Sequence, residues 1–304
     1  MRTGIDPIVA VRLILSRWCA PLMVMLVLLS AQSARAQIPP RPQPLIDPKL
    51  PTFWMIGDST VLNGRDTGSN GQWGLGNPMH LFFDEKKMNV QNHGVGATNT
   101  RTYMNDENDW AAILDQIKPG DYLFVLFGHN NDGAAPIGGT VDQRNTIAGN
   151  GEETANYNNP HTGQVEIVHT YGWYLRKYVT DAQAKGAALT ILCSPMPRNR
   201  WTNGELNANA DFVEWTKEAA SQSGAGFIDL DGIMRAKYAV WGEKKVTDEL
   251  FPEGEYLHSD WAGAVADAQG VIEGLKALQP HCPLVDYLLA VPPTELKNPS
   301  GKAR

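Results

Sequence analysis

Short apolar runs at residues 53–56, 122–127 (YLFVLF) and 188–193 (ALTILC), with weaker ones at 88–92 and 226–230, are separated by stretches in which apolar side chains recur at helical spacing. A continuous apolar run bounded by polar residues predicts a strand covered on both faces. Helices are predicted at 73–85, where Trp73, Leu75, Met79, Phe82 and Phe83 carry the pattern, and at 110–117, stopped by Pro119 and Gly120. Others are predicted at 165–185, the longest, ended by Gly186, and at 212–220 and 260–278. Strands alternating with helices predict βαβ units, and so a five-stranded parallel sheet between helical layers in one doubly wound domain.

Three segments break that rhythm. Residues 37–51 (QIPPRPQPLIDPKLP) are rich in proline and read as an extended lead-in without a fold of their own. Residues 131–164 are rich in Gly, Asn, Thr and Asp and have no apolar period. A loop that long in a compact domain points to function, and it follows YLFVLF, at the carboxyl edge where open α/β sheets place ligands. The last stretch, AVPPTELKNPSGKAR, reads as a polar, poorly ordered end. The chain therefore divides into a leader at 1–36, the lead-in at 37–51, the folded domain at 52–280 and a tail at 281–304.

The leader changes the compartment. Arg12 and Arg17 precede the apolar stretch APLMVMLVLLSA, and Ala34-Arg35-Ala36 has the small residues of a cleavage site. This is the layout of a secretory signal cut after Ala36. The apolar core falls short of the roughly 20 residues that span a bilayer. The expectation is a secreted or periplasmic protein with no membrane attachment after cleavage. The whole chain of 304 residues carries a net charge of −7 and 42% hydrophobic residues, enough for a substantial core. Losing four arginines and Asp6 with the leader makes the mature chain more acidic still, and no basic stripe appears, so nucleic acid is not an expected partner. Of three cysteines, Cys19 leaves with the leader. Cys193 and Cys282 either pair, as export permits, or remain buried thiols.

Candidate chemistry gathers where strands end. The first run closes on WMIGDST, so Ser59 stands just past a strand, where its hydroxyl can face a cleft and nearby backbone N–H groups can hold a developing oxyanion. Alone, Gly-Asp-Ser is a common turn sequence. A serine nucleophile needs a base, and EYLHSDWAGA supplies Glu255 and His258 three residues apart before the last helix. A carboxylate at that spacing can fix the imidazole tautomer and leave the other nitrogen for Ser59. Glu253 also precedes His258, and Asp260 follows it, but a short acid just before WAGAVADA fits a helix cap. LFGHNND, after YLFVLF, offers the side-chain amide of Asn130 to an oxyanion, and NHGVGATNTRTY, after the second strand, offers a backbone N–H among small residues.

Taken in order, GDST, NHGVGATNTR, FGHNN and the Glu-x-x-His pair resemble the four sequence blocks of the SGNH (GDSL-like) hydrolases, closest to their rhamnogalacturonan acetylesterase branch. GNGEET, IVHTYGWYLRKYV, CSPMPRNRW and HSDWAGA extend the likeness across residues 52–280. The resemblance implies a flavodoxin-like three-layer αβα sandwich, no metal and no other cofactor. It also implies a serine esterase acting on an acetylated plant cell-wall polysaccharide as its partner. Block by block, Ser59 resembles the nucleophile and one oxyanion donor, Ala97 the backbone donor, Asn130 the side-chain donor, His258 the base and Glu255 its acidic partner. Two positions depart from the pattern. Ala97 stands where glycine is usual, with Gly96 able to shift the register by one, and Glu255 stands where aspartate is usual. Asn131 also separates Asn130 from Asp132.

Other chemistries have weaker support. There is no Gly-x-Ser-x-Gly elbow, no HExxH, no zinc-spaced cysteine–histidine set and no phosphate loop with lysine. Asp109, Glu152 and Glu153 are acids with nothing to pair them as a glycosidase requires. A non-catalytic carbohydrate-binding protein stays open, with Trp73, Trp173, Trp201 and Trp261 as stacking surfaces, although most such rings serve as core. Arg198 and Trp201, after the strand at 188–193, are the candidates for substrate contact. Xylan and smaller acetylated oligosaccharides present the same kind of ester as pectin.

Overall fold

The computed structural model describes residues 45–64, 67–68, 70–131, 133–160, 162–291 and 296–299. The leader, residues 37–44 of the lead-in, Asp132 and the last residues of the tail lie outside the described residues. Strand β1 (Thr52–Gly57) is buried along its whole length. It is followed by the short helix α1 (Gly76–Met79) and a 3₁₀ turn (His80–Phe82), and then by β2 (Asn89–Asn92). Helix α2 (Thr100–Asn105), a π turn (Glu107–Ala111) and α3 (Ala112–Leu114) lead into β3 (Tyr122–Leu126). The next elements are the hairpin β4 (Thr154–Asn158) and β5 (Val165–His169), helix α4 (Tyr171–Ala184) and β6 (Leu189–Cys193). A small hairpin, β7 (Trp201–Thr202) and β8 (Glu205–Leu206), precedes α5 (Ala210–Ser223) and β9 (Gly226–Ile228). The chain closes with α6 (Leu230–Trp241), α7 (Glu243–Leu250), α8 (Trp261–Ala277) and a 3₁₀ turn (Pro283–Tyr287).

The central sheet has five parallel strands in the order β2-β1-β3-β6-β9. Side chains alternate across it, so each strand feeds two cores. Phe53, Met55, Phe124, Leu126 and Ile191 pack with Met234, Val271 and Leu275 on one face. Trp54, Ile56, Leu123, Val125 and Leu192 pack with Tyr103, Leu175, Tyr178 and Val179 on the other. This double covering is the physical reason the strands read as unbroken apolar runs. The strand order reverses between β1 and β3, which is where open α/β sheets form a crevice at their carboxyl edge.

Several predicted elements are corrected. The stretch 165–185 is not one helix: residues 165–169 pair antiparallel with β4, with Tyr157 opposite Glu166. The helix begins only at Thr170, whose hydroxyl accepts the Trp173 N–H at 3.1 Å. Val165, Val168 and Tyr171 sit at helical spacing by coincidence, since Val165 is exposed and Val168 fully buried. The same hairpin means that 131–164 is not structureless. Ala135, Val141, Ile147 and Val168 form a small core beneath it. Arg101, almost fully buried, ties it down by donating to the carbonyls of Asp142 and Gln143 and pairing with Glu166 at 2.9 Å.

The helix predicted at 73–85 shrinks to α1 and one turn, because Phe83 is extended and bridges to Leu288. The helix at 110–117 starts as a π turn. Its forerunner α2, capped by Asn99 with Thr102 answering in a capping box, went unpredicted, as did α6 and α7. The strand expected at 226–230 stops at Ile228, since Asp229 caps α6. Residues 281–291 are not a loose tail, since Cys282 and Leu284 lie in the main core. Cys193 and Cys282 are both buried free thiols. Among the described residues no helix is long and apolar enough to cross a membrane.

Candidate active site

Strand β1 delivers Ser59 to the crevice through a tight turn. Gly57 allows it, because a Cβ there would sit 2.4 Å from both the Leu126 carbonyl oxygen and Val61 Cγ2. The carbonyl of Asp58 accepts the N–H groups of Val61 (3.0 Å) and Leu62 (3.2 Å). The buried Asp58 side chain accepts the backbone N–H and hydroxyl of Thr60, both at 2.8 Å through Oδ1. Ser59 is left half-buried at the tip of the turn.

From the other end of the chain, the segment between α7 and α8 carries His258 to Ser59. It is pinned by the Trp73 N–H donating to the Ser259 carbonyl (2.9 Å) and the Asp260 N–H donating to that of Leu250 (2.9 Å). Asp260 caps α8 by accepting the Gly263 N–H at 3.0 Å. His258 Nε2 lies 2.9 Å from Ser59 Oγ, and Nδ1 lies 3.2 Å from Glu255 Oε2. A carboxylate only accepts, so Nδ1 carries the proton and Nε2 offers a lone pair to the serine hydroxyl.

Glu255 is itself held by three further donors. Its Oε1 accepts the N–H groups of Tyr256 (2.9 Å) and Leu257 (3.0 Å), and Oε2 accepts the Gln72 side-chain amide at 2.8 Å. Partial burial pushes its pKa up. The hydrogen bonds from Leu257, His258 and Tyr256 outweigh that push and leave it below the usual glutamate range.

The third wall is the loop after β2. The Val95 N–H donates to the Gly57 carbonyl (2.8 Å), and Thr98 N–H closes a turn on Val95. A Cβ on Gly96 would come to 3.8 Å from that of Ser59, so this loop lies against the serine. Ala97, not Gly96, takes the left-handed backbone, at φ +66°. Among the described residues no acceptor engages the backbone N–H of Ser59 or Ala97. Asn130, after β3, donates one side-chain N–H to the Thr98 carbonyl at 2.9 Å, which leaves its second N–H for another acceptor. Asn131 is fully buried and bonds Thr100 Oγ1 at 2.9 Å, so it serves the packing beneath the loop.

His129 is a second histidine at this edge, and it faces down. Its Nε2 donates to the Met196 carbonyl at 2.9 Å, and burial lowers its pKa against the opposing charge of Asp58. Arg198 donates to the His129 carbonyl at 3.0 Å. Trp201 packs against the main core, with its indole N–H on Asn199 Oδ1 at 2.8 Å. The structure thus brings Ser59, His258 and Glu255 into one chain of hydrogen bonds, with Ala97 and Asn130 on the adjoining loops. Arg198 and Trp201 stay outside that chain. Gln72 was missed because nothing near it in sequence marks it as a partner for an acid on the far side of the domain. Among the described residues no group of three or more His, Cys, Asp or Glu side chains is placed to hold a metal ion.

Residues 55–264 match the GDSL-like lipase/acylhydrolase family. The probable rhamnogalacturonan acetylesterase YesY of Bacillus subtilis (strain 168) is 31% identical over 230 residues, covering 74% of this chain and 93% of its own. The rhamnogalacturonan acetylesterase of Emericella nidulans is 25% identical over 218 residues, covering 71% and 82%. The crystal structure of the Bacillus subtilis protein YxiM superposes with a TM-score of 0.58 at 26% identity, covering 75% of this chain and 56% of its own length.

Proposed function

The chain belongs to the GDSL-like lipase/acylhydrolase family, and from that premise we propose that it is a serine acetylesterase that removes O-acetyl groups from a plant cell-wall polysaccharide, rhamnogalacturonan being the best-supported substrate. The observation that carries the reading is the continuous line from Ser59 Oγ through His258 to Glu255, at 2.9 Å and 3.2 Å. The two rhamnogalacturonan acetylesterase relatives support the choice of polymer.

In this mechanism Ser59 Oγ attacks the acetyl carbonyl while His258 Nε2 takes its proton. The carbonyl oxygen becomes an oxyanion, met by the N–H groups of Ser59 and Ala97 and the second amide N–H of Asn130. Collapse breaks the ester C–O bond, and the sugar oxygen leaves with the proton held on His258. Water then repeats the sequence on the acetyl-enzyme, giving acetate and free Ser59. Glu255 stays ionised and holds the ring, aided by its depressed pKa. Residues 1–36 act in this reading as the export signal that brings the enzyme to a polymer outside the cell.

The test is acetate release from acetylated rhamnogalacturonan, xylan and a simple aryl acetate by purified protein and by Ser59→Ala. Loss of several orders of magnitude in kcat is expected for the variant, together with labelling of Ser59 alone by a serine-directed phosphonate. Near-normal turnover without Ser59 would sink the mechanism. Release from xylan but not from rhamnogalacturonan would overturn the choice of polymer.

A further inference from the structure

Tyr256, between Glu255 and His258, is 42% exposed, unusual for a ring so close to the catalytic bonds. The guanidinium of Arg200 lies over it, with Cζ 3.8 Å from the ring centroid. Arg200 is exposed, and among the described residues it takes part in no ion pair with an acid.

The placement is built into the backbone. The Asn199 N–H donates to the Tyr256 carbonyl at 2.8 Å, joining the loop after β6 to the one that carries His258. The Asn199 side-chain oxygen accepts from Trp201 Nε1 (2.8 Å) and the Thr247 hydroxyl (3.2 Å), and the Asn207 N–H donates to the Arg200 carbonyl (2.9 Å). Arg200 is thus held from both sides along the chain and from beneath by the ring. A guanidinium held over a ring by its carbon still carries five N–H donors, a fork able to take a carboxylate through two parallel bonds. Tyr256 lies two residues before His258, and its carbonyl accepts the Asn199 N–H, so the loop that carries Arg200 borders the loop that carries the base.

We propose that Arg200, supported by Tyr256, is a subsite for the carboxylate of a uronic acid in the polymer, close to the acetylated position. The proposal rests on the esterase reading and sharpens it: the site discriminates acidic from neutral acetylated glycans by charge, with the sugar face free to pack against the aromatic edge. Arg198 and Trp201, the residues on either side in sequence that looked better placed, face His129 and the core instead.

The experiment compares kcat/KM on acetylated rhamnogalacturonan oligosaccharides and on acetylated xylo-oligosaccharides for the wild type, Arg200→Gln, Arg200→Lys and Tyr256→Ala. Arg200→Gln should lower the acidic-to-neutral ratio about tenfold, the scale of one charge-assisted contact, and mainly through KM. Arg200→Lys should recover only part, since a point charge neither stacks nor binds through two bonds. Tyr256→Ala should lower the ratio in the same direction. Raising salt should compress the wild-type ratio and not that of Arg200→Gln. Calorimetry with unacetylated oligogalacturonate reads the subsite without any chemistry, and Arg200→Gln should weaken binding there by a similar factor. If wild-type protein releases no acetate yet binds oligogalacturonate through Arg200, the esterase reading fails and the subsite stands. If acetate is released but Arg200→Gln leaves both the ratio and the calorimetry unchanged, the subsite is overturned and the esterase reading stands.

Discussion

Gln72 and Glu255, 183 residues apart, meet side chain to side chain, with the Gln72 amide donating at 2.8 Å to the same oxygen that faces His258 Nδ1. Together with the N–H groups of Tyr256 and Leu257, this amide fixes both oxygens of the carboxylate. The ring of His258 is therefore aimed by an acid that is itself immobilised. Removing the carboxylate charge with Glu255→Gln should cost about 10⁴ in kcat, as loss of the orienting acid does when it traps the wrong tautomer. Gln72→Ala removes one supporting bond, worth about 1 kcal/mol, or roughly fivefold in kcat, with KM little changed. Asp260→Asn should stay near wild type, because asparagine caps a helix as well as aspartate does. Steady-state kinetics of the three on one aryl acetate decide the assignment. A dead Asp260→Asn beside an active Glu255→Gln would reverse it.

Asn130 already spends one amide N–H on the Thr98 carbonyl, so its remaining donor is fixed in direction before substrate arrives. Asn130→Ala should lower kcat by about 10²–10³, the cost of a single oxyanion donor, and leave KM nearly unchanged because the charge develops only in the transition state. A rise in KM at constant kcat would make Asn130 a substrate-binding residue.

Ala97 holds φ +66°, a conformation that costs an L-residue about 1–2 kcal/mol. Glycine escapes that cost but gains freedom in the unfolded chain, worth about 0.4–1 kcal/mol in the other direction. Ala97→Gly should therefore stabilise the protein slightly, by up to about 1 kcal/mol, seen as a rise of about 2 °C in Tm. A lower Tm would mean that the methyl group makes contacts worth more than the backbone strain.

Much of the architecture was legible because it is local. Runs such as 122–127 announce strands sheathed on both faces, and the aspartate before WAGAVADA announces the start of α8, which Asp260 does cap. Ser59 and Asn130 were legible as polar residues just after the apolar strands β1 and β3, and His258 as a histidine with an acid three residues before it at the start of the last helix. What escaped is non-local. The β4–β5 hairpin hides in a sequence whose alternation is equally helical, and only its pairing across residues 154–169 decides the matter. Gln72 and the Arg200–Tyr256 stack exist only because distant loops meet, and no spacing rule records that.

Asp267 sets a pH dependence away from the site. It lies on the inner face of α8, 2% exposed, beside the Tyr238 hydroxyl of α6, and its Oδ1 makes no well-formed hydrogen bond among the described residues. Burial pushes its pKa up to about 7, with Tyr238 opposing the shift only partly. In the unfolded chain the same carboxyl ionises near the ordinary aspartate value of about 3.9. Between those two values the folded state holds a proton that the unfolded state has released, so stability falls as pH rises. Below about pH 4 both states are protonated and the group contributes nothing, while above about 7 the penalty is complete, on the order of 4 kcal/mol. Asp267→Asn mimics the neutral form at every pH. Its urea midpoint should match wild type near pH 4 and exceed it increasingly up to pH 8. A difference that stayed constant across that range would show that Asp267 is ionised, and paired, in the folded protein.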